Sequence, residues 1–212
     1  MPFDFTAVFQ ELVVVLPAVL FAITFHEVAH GWIADRLGDP TARLSGRLTL
    51  NPIAHLDPVG AIMLILVKFG WAKPVPVNPM NLRNPLRDMI WVAAAGPVAN
   101  LIVAAASLLL YRWSGALEIP FLADPIRALL GSSFIINRNL AAFNLIPIPP
   151  LDGSQILKGL LPRRQLMAFE RIEPYGFLIL VLFLATGMAQ AVLSPLVAVV
   201  DAGLRLTLRP LL

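Results

Sequence analysis

The chain has 212 residues, 58% hydrophobic and 14% charged, with a mean hydropathy of +0.79. A water-soluble domain carries about a quarter of its residues as charges, so this composition excludes one and points to an integral membrane protein. The net charge of +3 does not mark a nucleic-acid binder, because Lys and Arg sit in short segments between apolar runs rather than in a stripe. The lack of Cys excludes disulfides and Cys-ligated zinc.

The N-terminus has no basic n-region, and no small-residue cleavage site follows the first apolar run, so a cleaved signal peptide is not expected. That run, Leu12 to Phe25, continues through His26-Glu27-Val28-Ala29-His30 to Leu37, and Gly38-Asp39-Pro40 ends it, as Gly and Pro end helices. Pro17 is a candidate kink. Residues 39 to 57 read as loop, with a candidate strand at Arg47-Leu48-Thr49-Leu50. Val59 to Val67 is apolar but too short to cross comfortably, and Lys68 and Gly70 end it. Trp71-Ala72-Lys73-Pro74-Val75-Pro76-Val77-Asn78-Pro79 is held extended by its prolines, and its tryptophan suits a membrane boundary. A small membrane-associated β or re-entrant element is therefore expected between the first helix and the next.

Met89 to Tyr111 carries no charge and is the clearest transmembrane segment. Leu129 to Leu145 is mostly apolar but contains Ser132, Ser133, Asn137, Arg138, Asn139 and Asn144. It runs into Ile146-Pro147-Ile148-Pro149-Pro150-Leu151-Asp152-Gly153, whose prolines break any helix. A short helix is expected at Ser154 to Leu161. The charge-free Pro174 to Val200 suits one tilted helix, or two pieces broken near Ser194-Pro195. The expected fold class is an all-α polytopic membrane protein. At about 20 residues per crossing it has room for about four to six transmembrane helices. Residues 1–212 read as a single membrane-embedded domain.

Lys and Arg mark cytoplasmic loops. The N-terminal tail has Asp4 and Glu11 with no base, and 113–126 has Glu118 and Asp124 with none, though Arg112 and Arg127 flank it. The 36–87 segment is rich in Lys and Arg, and 158–171 holds Lys158, Arg163, Arg164 and Arg171. The first two segments are expected outside and the last two inside. That arrangement requires 59–67 to dip into the membrane and return, or to lie along it.

His26-Glu27-Val28-Ala29-His30 is an H-E-x-x-H pattern on a helix. Histidines at i and i+4 share one face, so both imidazoles can bind one zinc ion at about 2.0–2.1 Å. Glu27 is placed to take a proton from a metal-bound water. Five residues recur by chance, and a surface helix can carry them idly. Here they lie against a continuous apolar run, where a charged side chain costs roughly 2.5–3.5 kcal/mol. A cation shared by the imidazoles and attracting the carboxylate offsets that cost.

A zinc hydrolase uses three protein ligands and keeps one position open. The candidates for the third are His55, Asp57, Asp152, Glu170 and Glu173. Glu170 and Glu173 sit among arginines, as a solvated loop would place them. Asp152 stands alone after the proline run, although an aspartate there can also cap the helix that follows. His55, in Asn51-Pro52-Ile53-Ala54-His55-Leu56-Asp57-Pro58, reads best as a hydrogen-bonded loop residue.

These blocks resemble the site-2 protease family of intramembrane zinc metalloproteases. The resemblance rests on Phe25-His26-Glu27-Val28-Ala29-His30-Gly31, on Ala95-Gly96-Pro97-Val98-Ala99-Asn100, and on Asn144 through Gly153, which matches the family's N-x-x-P-x-x-x-L-D-G pattern. It covers the chain from about Leu12 to Leu161. It implies His26, His30 and Asp152 as ligands of one Zn2+ per chain, Glu27 as general base, and Asn144 beside the metal, as an oxyanion donor or substrate contact. The alternative role for Asn144 is a hydrogen bond to a neighbouring helix. No PDZ or CBS module is recognisable, and the 39–87 insert is long for a minimal member.

The function expected is hydrolysis of a peptide bond in or near a transmembrane segment of a membrane protein that another protease has trimmed first. Since a transmembrane helix satisfies its own backbone groups, the substrate must unwind, and a strand at Arg47–Leu50 or Lys73–Val77 could receive it. The expected location is a prokaryotic cell membrane, with the site nearer the cytoplasm. An oligomer is allowed, and no nucleic-acid partner is expected. Two rivals are a membrane metal carrier, which would leave Glu27 without a role, and a non-catalytic relative that binds the same helices.

Overall fold

The computed structural model describes residues 5–67, 70–116 and 122–208. Asp4, Lys68 and Glu118, on which the charge count leans, and the side chain of Glu11 lie outside what is described. The described residues form helices α1 (Phe5–Arg36), α2 (Thr41–Leu44), α3 (Pro58–Val67), α4 (Pro85–Trp113) and α5 (Ala123–Asn144), followed by α6 (Asp152–Leu160), α7 (Arg163–Ile172), α8 (Gly176–Ala185) and α9 (Met188–Leu208).

The all-α expectation agrees with this architecture. Three helices, α1 from Val13, α4 and α9, are long and apolar enough to cross a membrane. Helix α5 spans about 33 Å at 1.5 Å per residue, but its Ser, Asn and Arg keep it outside that apolar set. Helix α3 has 10 residues, about 15 Å, or roughly half a hydrocarbon core.

No strand is present among the described residues. Arg47–Leu50 is irregular, and sheet-like pairing reduces to one antiparallel bridge between Leu56 and Ala72. Lys73 N donates to His55 O at 3.0 Å, and the Arg47 guanidinium donates to Lys73 O at 2.8 Å. Pro74 and Pro76 have no N–H with which to extend a ladder. From Gly70 to Asn78 the chain is non-helical, as its prolines require.

Helix α4 is the centre of the bundle, packed against α1, α5 and α6. Small and polar side chains join the helices, as is common within membranes. Ser107 Oγ and Ser133 Oγ lie 2.8 Å apart between α4 and α5, and Arg138 pairs with Asp201 at 3.0 Å between α5 and α9. An apolar cluster of Ile146, Leu151, Leu180 and Phe183 holds the proline-rich turn against α8.

Two sequence expectations need correction. The 174–200 run does break into two helices, but at Thr186-Gly187, where Gly187 has φ +75, and Ser194-Pro195 lies inside α9. A left-handed backbone suits glycine, whereas membrane helices tolerate an internal proline. Glu170 is helical, in α7, rather than in a loop. Glu173 follows α7 and accepts hydrogen bonds from Lys158 Nζ at 2.8 Å and Gln155 Nε2 at 3.2 Å.

Candidate metal centre

Helical periodicity places His26 and His30 one turn apart on α1, both facing α4. Asp152 reaches them from the start of α6, far along the chain. The prolines after Leu145 stop α5, and α6 then begins at Asp152 and folds back on the end of α5. That return depends on Gly153, where a Cβ would sit 2.3 Å from the Leu145 carbonyl oxygen. Asp152 is the first residue of α6, and its carboxylate does not cap the helix. It turns instead to the histidines.

The three side chains converge, with one donor atom from each within 4.8 Å of the others. His26 Nε2 is 3.0 Å from His30 Nε2 and 3.1 Å from Asp152 Oδ2, and His30 Nε2 is 3.4 Å from Asp152 Oδ1. The outer nitrogens are engaged: His26 Nδ1 lies 2.7 Å from Asn100 Oδ1, and His30 Nδ1 lies 2.7 Å from the Val92 carbonyl oxygen. A ring nitrogen facing an oxygen acceptor must carry the proton, so each Nε2 of a neutral ring presents a lone pair. Two lone pairs and a carboxylate at these distances repel one another, and a single proton can bridge only one of the three pairs.

A divalent cation removes that conflict. Donors sharing a tetrahedral ion at about 2.0–2.2 Å lie about 3.3–3.6 Å apart, within a few tenths of an ångström of the observed separations. Asp152 Oδ2, buried and without a hydrogen-bond partner, is accounted for in the same way. So is Gly96 of α4. A Cβ there would sit 2.4 Å from His30 Nε2 and 2.5 Å from His26 Cε1, so glycine lets the rings lie flush against α4. The residues present fit zinc, with two imidazoles, one carboxylate and room for a fourth ligand.

The centre opens on a cavity of about 590 Å³, whose apolar wall includes Ile23, Met89, Phe143 and Leu180. Glu27 and Asn144 also line it. Glu27 Oε2 accepts a 2.7 Å hydrogen bond from the Val75 backbone N–H, which brings the 70–78 segment across the cavity. Asn144 Nδ2 donates to Leu140 O at 3.1 Å, leaving its side-chain oxygen without an intramolecular partner among the described residues.

The other candidate ligands are elsewhere. His55 is buried in a short 3-10 turn with Nε2 2.8 Å from Thr49 O, and Asp57 accepts from Gly60 N at 2.8 Å. Sequence reasoning gave no role to Asn100, Gly96 or the Val75 N–H. A signal existed for Asn100, because an amide in an otherwise apolar helix needs a hydrogen-bond partner.

The model of peptidase family M50 matches residues 114–187. The provisionally named zinc metalloprotease YwhC of Bacillus subtilis is 39% identical over 84% of this chain and 83% of its own. The provisionally named zinc metalloprotease Rip2 of Mycolicibacterium smegmatis is 31% identical over 87% of this chain and 70% of its own, and Rip2 of Mycobacterium tuberculosis is 32% identical over the same shares. No solved structure matches the chain.

Proposed function

The chain belongs to peptidase family M50, the site-2 proteases, and is a zinc metalloprotease; from that premise we propose that it is an intramembrane endopeptidase, cleaving membrane proteins in or near a transmembrane segment. The observation that carries the reading is the convergence of His26, His30 and Asp152 beside α1 and α4, both apolar enough to cross a membrane.

In this reading His26 Nε2, His30 Nε2 and an Asp152 oxygen hold the ion. Bound there, zinc supplies a Lewis acid that polarises the scissile carbonyl and acidifies a water. Glu27 takes the proton of the attacking water at a carboxylate oxygen and returns it to the leaving amine nitrogen. The Asn144 side chain faces the cavity and orients substrate backbone or steadies charge on the carbonyl oxygen. The apolar wall limits water to the polar end of the cavity.

The substrate enters unwound, because a helix hides its peptide bonds. The 73–77 segment, already extended across the cavity, offers backbone groups for strand addition. The substrates in this reading are single-span proteins trimmed by an earlier protease. The membrane is that of a prokaryotic cell, with the centre nearer the Lys- and Arg-rich cytoplasmic face.

The test is cleavage of a single-span substrate in proteoliposomes, with metal analysis of the same preparations. Wild type should contain one zinc per chain and cleave. Glu27→Gln should keep the zinc and lose turnover. If instead wild type moved metal across the vesicle and cut nothing, the carrier reading would replace this one.

A further inference from the structure

We propose that Asn137 of α5, which makes no hydrogen bond to either histidine, is a positioning residue that acts through Asn100 to hold His26 in the tautomer whose Nε2 can bind metal. The inference rests on the metal-centre reading above and identifies what enforces it.

The order of dependence runs inward from two backbone carbonyls. Asn137 is fully buried, and one of its amide groups lies 2.9 Å from the Ser133 carbonyl oxygen. A carbonyl oxygen can only accept, so that group must be Nδ2 and the opposite one Oδ1. Oδ1 in turn lies 2.8 Å from the Asn100 amide. Asn100 is also fully buried, and the same amide group lies 3.0 Å from the Ala22 carbonyl oxygen. Facing two acceptors, that group must be Nδ2, which leaves Asn100 Oδ1 to face His26 Nδ1 at 2.7 Å. His26 Nδ1 therefore carries the proton, and Nε2 keeps its lone pair for the cavity.

His30 reaches the same state without a relay, because its Nδ1 faces the Val92 backbone carbonyl, which cannot be reversed. The two ligands are thus fixed differently. The His26 tautomer depends on side-chain amides that can rotate, and Asn137 supplies one of the two acceptors that hold the Asn100 amide in place. Without Asn137, only the Ala22 carbonyl opposes a flip of Asn100 that would present Nδ2 to His26 and move the ring proton to Nε2. Outer-shell partners of this kind are worth about 10- to 100-fold in metal affinity.

The full-length protein in detergent tests this by chelator competition for Zn2+, the visible spectrum of the Co2+ form, and the unfolding temperature of the metal-free form. Asn137→Leu should weaken Zn2+ binding about tenfold and Asn100→Leu up to about a hundredfold. The Asn100→Leu/Asn137→Leu double variant should bind no more weakly than Asn100→Leu, since one residue acts through the other. Asn137→Asp should restore near-wild-type affinity, because a buried protonated carboxyl can donate to Ser133 O and accept from Asn100. Asn137→Ser is the milder variant should the leucine chain not fold, and it should weaken binding in the same direction. A purely structural Asn137 would lower the metal-free unfolding temperature and leave the affinity and Co2+ spectrum of folded protein unchanged. That result, or additive losses in the double variant, overturns the relay. A wild type that binds no Zn2+ overturns the metal-centre reading and the relay with it.

Discussion

Val75 donates its backbone N–H to Glu27 Oε2 at 2.7 Å, although 48 residues separate them in sequence. The donor lies between Pro74 and Pro76, neither of which has an N–H, so Val75 provides the one main-chain donor on this stretch of the segment. The contact ties the extended 70–78 segment to the residue proposed as the general base. Val75→Pro removes the donor while keeping the chain extended. Cleavage in proteoliposomes is expected to fall at least about tenfold, the order of one hydrogen bond to a charged group, with zinc content unchanged. Undiminished cleavage would remove the segment from the mechanism.

Gly96 sets the distance between α4 and the two imidazoles. With a Cβ only 2.4 Å from His30 Nε2, Gly96→Ala must push the rings off α4 or separate the helices. Overpacking of this kind costs about 1–3 kcal/mol, and here it also displaces two ligand atoms. The variant is expected to unfold at a lower temperature and to lose most of its zinc. Gly203→Ala in α9, where a Cβ meets nothing within 4 Å, should do neither.

Metal removal should destabilise the fold, because the crowded donors then repel. A ligand that binds only the folded state stabilises it by about 2.7 kcal/mol at a hundredfold excess over its Kd. Chelation should therefore lower the unfolding temperature of wild type. Asp152→Ala removes one of the three donors, so its unfolding temperature should hardly respond to chelator or to added Zn2+. An equal chelator response in both proteins would place the ion elsewhere.

The sequence displays the parts of this centre that obey local rules. His26 and His30 are legible because helical spacing alone puts them on one face. Asp152 is legible only in part, because an isolated acid after a proline run suits a metal ligand or a helix cap, and the family resemblance is what chooses the first. Gly96 and Asn100 are harder to assign, since their roles arise only when α4 docks on α1. The Val75 contact is invisible in sequence, because a backbone N–H carries no residue-specific mark. Between Pro174 and Val200 every residue is uncharged, so no change of pattern locates the turn, and proline is a poorer guide there than Gly187. Helix α7 reads as loop because Arg163, Arg164, Glu170 and Arg171 dominate its sequence and mask the apolar side formed by Leu166, Phe169 and Ile172, none of which is buried.

Acid stability should depend on Asp39, outside the membrane-spanning helices. Its carboxylate is fully buried and accepts from Thr41 N at 3.1 Å, Thr41 Oγ1, Asn78 N at 2.7 Å and Asn81 Nδ2 at 2.9 Å. It joins the end of α1 to the turn that leads into α4. Burial pushes the carboxyl up, but the hydrogen bonds from Thr41, Asn81 and Asn78 outweigh it and hold the group below its ordinary range. A folded value below the unfolded one, about 3.9, means the contribution is complete above that pH and is lost as pH falls through the folded value. Asp39→Asn replaces an acceptor oxygen with an NH2 that faces donors, at a cost of about 1–3 kcal/mol near neutrality. The gap in unfolding temperature between wild type and variant should therefore be widest near neutral pH and narrow as pH drops below about 4. A gap that stayed constant across that range would mean that the Asp39 charge is not what secures the turn.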